Sequence, residues 1–139
     1  MRRVMTMQLL VEEMRVRWNG LERGEIDRSA AALSETDIHR WSTLFTAGDV
    51  DELFRRIADA LARGFHRGEI EFELGDFIVN GLHWPMVNRA SESTPVHPLL
   101  WDVFLAFDAG EFGEDPIQTK TAPMIAAIVA QLDAQTSRS

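Results

Sequence analysis

Apolar positions recur at steps of three and four along much of the chain, which is the spacing of one face of an α-helix. Five such stripes lie at residues 7–21, 34–45, 50–61, 99–107 and 124–132. With 139 residues, the chain has the length of one ordinary domain. The pattern therefore predicts a mainly α-helical fold, in which five or six helices form a single compact domain over residues 1–139.

Polar residues mark the starts of several predicted helices. Ser34 precedes Asp37, and Asp49 precedes Glu52, with the three-residue spacing of a capping box. In a capping box the side chain of the first residue accepts a hydrogen bond from the backbone N–H three residues later. The side chain of that later residue in turn accepts from the backbone N–H of the first. Pro98 suits the first turn of a later helix, because a backbone N–H has no helical partner there.

The segment EIEFELGDFIVNGLHW fits two patterns. Ile70, Phe72 and Leu74 alternate with glutamates as in a strand, whereas the apolar residues as far as Leu82 also fit one helical face. The helix is favoured, because apolar residues become adjacent further along the segment and a two-residue alternation does not allow this. A short strand near residues 69–74 remains the alternative.

Two segments are predicted to be irregular. Residues 85–98 contain three prolines and several small polar side chains, which is typical of a long loop. Loops of this length often carry function. Residues 133–139 no longer continue the last apolar stripe, so a frayed tail is expected there.

The excess negative charge belongs to the second half of the chain. Residues 1–68 contain 11 acidic and 11 basic side chains, whereas residues 69–139 contain 11 acidic and three basic ones. An acidic surface repels nucleic acid and anionic membranes, and it attracts basic proteins. We therefore expect a basic protein partner and no binding to nucleic acid or membranes.

A protein-binding module acting through an acidic surface is the favoured function. Clustering along the sequence does not by itself make one surface, because arginines of the first half can fold over the acids. The predicted partner-binding residues are Glu69, Glu71, Glu73, Asp76, Asp108, Glu111, Glu114 and Asp115.

The residue inventory leaves little room for catalysis. The chain has no cysteine, which excludes disulfides, thiolate nucleophiles and cysteine-based zinc sites. His66 and Glu69 have only a weak metal-ligand spacing, and neither a nucleophile elbow nor a phosphate-binding loop occurs. We predict no catalytic residue, no metal and no cofactor.

Histidines and tryptophans beside the predicted loop suggest an alternative function. If His83, Trp84, His97 and Trp101 converge, they line a small-molecule or enzymatic pocket. Asp102 would then fix the tautomer of His97 and raise its basicity. A further alternative is a structural subunit that forms a homo-oligomer through an apolar helix face.

The chain lacks the hydrophobic segments that direct proteins to membranes. No stretch reaches the roughly 20 apolar residues that a transmembrane helix needs. The N-terminal apolar run is interrupted by Thr6 and Gln8 and is closed by Glu12 and Glu13, unlike a signal peptide. We therefore expect a cytoplasmic protein.

Two stretches resemble known sequences. DFIVNGL at Asp76–Leu82 and WDVFLAFDAGEF at Trp101–Phe112 resemble the closing half of small, acidic bacterial proteins, some of which resemble toxin-immunity proteins. The resemblance implies a cytoplasmic protein that occludes a cognate toxin by surface complementarity, with its acidic half facing a basic toxin surface. It assigns no role to an individual residue.

Overall fold

The computed structural model describes the backbone of residues 2–90 and 95–138, together with the side chains of residues 7–90 and 95–136. This part of the chain contains helices and no strand, which confirms the predicted mainly α-helical class. There are six long α-helices in this part of the chain, with one short helical turn, α2, between the first two and a five-residue π-helix, Ile117–Thr121, before the last. The helices are α1 Arg2–Glu22, α2 Arg28–Ala31, α3 Glu35–Thr46, α4 Val50–His66, α5 Phe72–Arg89, α6 Pro98–Ala109 and α7 Ala122–Arg138.

Capping side chains set several helix starts. Ser34 and Asp37 form the complete predicted capping box at α3. At α4 only half of the predicted box forms: the Asp49 carboxylate accepts from the backbone N–H of Glu52 at 3.0 Å. The Glu52 carboxylate instead accepts from Arg55 and Arg56, whose guanidinium groups lie one turn further along the helix.

The hydrophobic core is centred on α4. This helix packs against α3, α6 and α7, while α5 packs against α6 and α1. Trp41, Leu61, Leu74 and Phe107 are among the fully buried side chains between these helices. α1 also contacts α3 and α4, and its Leu10 and Met14 side chains are fully buried in the core.

A glycine allows the close contact between α5 and α6. A Cβ atom at Gly75 would lie 2.4 Å from Cε1 of Phe107, a distance that side-chain carbons do not adopt. The Phe107 ring fills this space and also contacts the rings of Phe65 and Phe72. Gly75 thereby fixes the position of α5, which carries most of the candidate site described below.

The predicted loop over residues 85–98 is wrong at its start, because α5 continues through Pro85 to Arg89. Pro85 removes one backbone hydrogen bond from the helix, but it is buried next to Met86 on the apolar side of α5. Burial of this face outweighs the local cost. Residue 90 and residues 95–97 are irregular, and the rest of the predicted loop lies outside the described residues.

Two further expectations are corrected. The alternative strand near residues 69–74 is absent: residues 69–70 form a bend, Glu71 is the N-cap residue, and α5 begins at Phe72. Ile70 is buried against Gly64, and Leu74 continues on the buried face of the helix. The tail predicted over residues 133–139 is helical as far as Arg138, and Asp133 in this part of α7 pairs with Arg63 of α4 at 2.8 Å.

Candidate functional site

A cavity of about 640 Å³ opens between α1, α5 and the segment that follows α2. Trp18 of α1 and Phe77 of α5 lie with their ring centroids 5.1 Å apart in its wall. Trp84 lies two turns further along α5 and is 66% exposed. We call this cavity the aromatic groove.

The aromatic groove has an acidic edge. Glu73 and Asp76 of α5 line it, and Asn80 one turn later donates from Nδ2 to Oε2 of Glu111 at 3.4 Å. The negative charge of Asp108, near the end of α6, also acts on Asp76. We call Asp76, Asp108 and Glu111 the acidic corner. Arg28 is the basic side chain among the residues that line the groove.

Asp76 is the least satisfied member of the acidic corner. Its Oδ1 atom is buried and has no hydrogen-bond partner among the described residues. Burial, followed by the interaction with Glu111 and the charge of Asp108, raises the pKa of Asp76 from 3.8 to about 7. A cation placed here would stabilise the ionised carboxylate.

The eight predicted acidic residues do not share one environment. Glu71 forms an ion pair with Arg15, which lowers the pKa of the Glu71 carboxyl. Glu69 lies beside the same arginine, whose Nη2 donates to the Glu69 carbonyl oxygen. Glu114 and Asp115 are exposed in the segment between α6 and α7.

The residues of the alternative pocket separate into two groups. The His83 ring lies 5.4 Å from Trp84 and 6.2 Å from Trp101, measured between ring centroids. His97 lies elsewhere: its Nδ1 accepts from the backbone N–H of Leu100, and its Nε2 is 3.9 Å from Oδ1 of Asp51.

The hypothetical pairing of His97 with Asp102 is not formed. Asp102 is exposed, and no hydrogen bond or ion pair joins it to either histidine in the described part of the chain. His83 does lie near Phe104, with ring centroids 4.8 Å apart, and its buried Nδ1 atom has no hydrogen-bond partner among the residues that the structure describes. This is an aromatic cluster on α5 and α6 without a carboxylate to orient the imidazole.

Several exposed apolar side chains bear on self-association. Leu9 and Val16 are 66% and 70% exposed and lie on one face of α1. Leu44 of α3 is also exposed. Single exposed apolar residues are normal on protein surfaces, so homo-oligomer formation stays a prediction.

Sequence reasoning missed the part that α1 contributes to the aromatic groove. Trp18 lies on the same apolar stripe as the buried residues Leu10 and Met14, so its spacing indicates a core position. Phe77 likewise follows the apolar pattern of α5. The sequence did offer one signal: Trp18 and Phe77 are large aromatic residues, and each lies at an apolar position of its helix that has a polar residue as a sequence neighbour.

Comparison with protein-family models, with curated proteins and with solved structures finds no match to this chain. In the described part of the chain, no helix is both long and apolar enough to span a membrane. Among those residues, no group of three or more histidine and carboxylate side chains is arranged to hold a metal ion. The site is therefore defined by its groove, its aromatic rings and its unpaired acid.

Proposed function

We propose that this chain is a protein-binding domain that takes a basic, apolar-faced helix of its partner in the aromatic groove. The observation that carries the proposal is Asp76, an acid at the edge of an apolar groove whose buried Oδ1 atom has no hydrogen-bond partner among the described residues. A toxin that presents a basic, apolar-faced helix would be a partner of this kind. The resemblance to immunity proteins leads in the same direction.

The apolar part of the groove supplies contact area. Trp84 is mostly exposed, although a tryptophan side chain is costly to leave in water. Covering it with an apolar side chain of a partner would contribute about 1.5–3 kcal/mol before the costs of association. Trp18 and Phe77 offer further ring surface beside it.

The acidic corner supplies charge complementarity. Lysine or arginine on the partner would pair with Asp76 and Glu111, and the partly desolvated setting strengthens such pairs relative to those in water. Glu73 adds a further carboxylate to the groove lining, in which Arg28 is the basic side chain. Amphipathic helices commonly dock in apolar grooves between two helices.

Titration of isotope-labelled protein with a synthetic amphipathic peptide of leucine and lysine tests the proposal. We expect the nuclear magnetic resonance signals of Trp18, Phe77 and Trp84 to shift most. The control peptide has glutamate in place of lysine and should leave these signals unchanged. Binding of both peptides alike, or shifts confined to other helices, would contradict the proposal.

Two variants separate groove binding from general attraction to an acidic protein. Trp84→Ala should weaken binding of the leucine–lysine peptide about tenfold, because it removes the exposed ring of the groove. Leu44→Ala is the matched control, since Leu44 is 64% exposed on α3 and lies away from the groove lining. Equal affinities of the two variants would argue against the groove.

A further inference from the structure

A second cavity, of about 480 Å³, lies between the first half of α1, the last turns of α4 and the bend before α5. Its apolar lining includes Val11, Gly64 and Ile70, which are buried, and Ala60, which is partly buried. Its polar lining contains five arginines together with the acids Glu12, Asp59 and Glu69. The arginines are Arg15, Arg55, Arg56, Arg63 and Arg67. We call this cavity the arginine groove.

Most of these arginines are held by acids of the protein. Arg15 pairs with Glu12 at 3.0 Å, and Arg63 pairs with Asp59 at 2.7 Å. The Glu52 carboxylate forms ion pairs with Arg55 and Arg56, which lie one turn further along α4. These ion pairs order the guanidinium groups before any ligand binds, and they offset most of the positive charge of this wall.

Arg67 differs from the other arginines of this groove. It follows the last residue of α4, its side chain is exposed, and its guanidinium has no carboxylate or carbonyl partner among the described residues. A guanidinium binds a carboxylate through two parallel N–H···O hydrogen bonds. Arg67 is therefore the cation available to an anionic ligand.

We propose that the arginine groove binds an amphiphilic carboxylate of the fatty-acid class. Its hydrocarbon chain lies over Val11, Ala60 and Ile70, and its carboxylate pairs with Arg67. The volume of the groove is within the range of small-molecule sites, about 300–1,000 Å³. This site is separate from the aromatic groove, so it does not depend on the protein-binding proposal.

Isothermal titration with decanoate, kept below its micelle-forming range, tests this site. Decanol and decyltrimethylammonium carry the same chain with no charge or with a positive charge. We expect decanoate to bind at least about tenfold more tightly than either compound, because only the carboxylate pairs with Arg67. Equal binding of the three compounds would overturn the proposal.

Matched arginine variants locate the binding site. Arg67→Gln should weaken decanoate binding about tenfold, whereas Arg28→Gln, which changes an exposed arginine of the aromatic groove, should leave it unchanged. A larger loss in Arg28→Gln would overturn the proposal. Ala60→Phe should abolish binding by filling the groove, and full decanoate binding by this variant would also overturn it.

Discussion

The aromatic groove and the arginine groove are both lined by side chains of α1. They differ in how many of their charged side chains have an ion-pair partner. Around the arginine groove, acids such as Glu52 and Asp59 neutralise most of the guanidinium groups. At the aromatic groove, Asp76 has other acids as neighbours, and one of its oxygens has no hydrogen-bond partner in the described part of the chain. Net charge along a sequence therefore does not show where unpaired charge lies in the fold.

The contrast is sharpest between two aspartates. Asp37 is buried and accepts from Arg17 through both carboxylate oxygens, at 2.8 and 2.9 Å. Arg40 also donates to it. Asp37 therefore stabilises the contact between α1 and α3, whereas the ionised form of Asp76 opposes folding. An acid retained at such a cost is typical of a functional surface.

The largest effect is expected from Gly75→Val, which breaks the packing that positions the aromatic groove. The new side chain would collide with Phe107, so α5 and α6 must separate. Overpacking of this kind costs about 3 kcal/mol in the free energy of unfolding. Chemical denaturation measures it, and the leucine–lysine peptide should bind the variant poorly.

Gly81→Ala is the matched control for this change. Its Cβ atom would lie 3.0 Å from Cβ of Leu33, a contact that a shift of a few tenths of an ångström between the two backbone segments relieves. A loss of stability as large as that of Gly75→Val would contradict the role of Gly75 in fixing α5.

A smaller loss is expected from Asp37→Asn. The substitution replaces one of the two carboxylate partners of Arg17 with a neutral amide and leaves Glu13 as the other. We expect a loss of about 2 kcal/mol. The pKa of Asp37 is held well below its usual 3.8, chiefly by hydrogen bonds from Arg17. Its contribution is therefore present above about pH 4 and is lost as the pH falls further.

Unfolding experiments from pH 2 to pH 7 check this prediction. The wild-type protein should lose stability in acid more steeply than Asp37→Asn does. Parallel curves for the two proteins would show that Asp37 does not carry this pH dependence.

The smallest change, of opposite sign, is expected from Asp76→Asn. Because the pKa of Asp76 is raised to about 7, the folded protein binds a proton more tightly than the unfolded chain between about pH 4 and pH 7. The stability contribution of this group therefore falls as the pH rises through that window. Partial exposure screens the effect, so we expect Asp76→Asn to gain about 1 kcal/mol at pH 8.

Thermal unfolding at pH 4 and pH 8 checks this gain, which should be present at pH 8 and nearly absent at pH 4. Glu114→Gln serves as the control, since Glu114 is an exposed acid of the same half of the chain. If Asp76→Asn is less stable than the wild-type protein at pH 8, then ionised Asp76 stabilises the fold as Asp37 does, and the proposed difference between the two aspartates is wrong.

Local features of the fold were predictable from sequence. Periodic apolar spacing identifies the long helices, and the Ser34 and Asp49 caps mark two helix starts. These signals depend on neighbours within one turn of the chain. Pro85 shows the limit of the approach, because long-range burial of α5 overrides the local tendency of proline to end a helix.

The candidate site was only partly predictable. The acidic residues were recognised from composition, but the pairing of Arg15 with Glu71 joins residues 56 positions apart. Periodicity shows which face of a helix is apolar, and it does not show which helix lies opposite. The association of Trp18 with Phe77, which forms the wall of the aromatic groove, therefore required the structure.

The most direct test of the aromatic groove as a binding site is the pKa of Asp76, measured by nuclear magnetic resonance with and without the leucine–lysine peptide. The free protein should show a pKa of about 7, because the Asp76 carboxyl is buried among acids. The bound protein should show a clearly lower pKa, since a lysine then stabilises the carboxylate. A pKa that the bound peptide leaves unchanged would contradict the account.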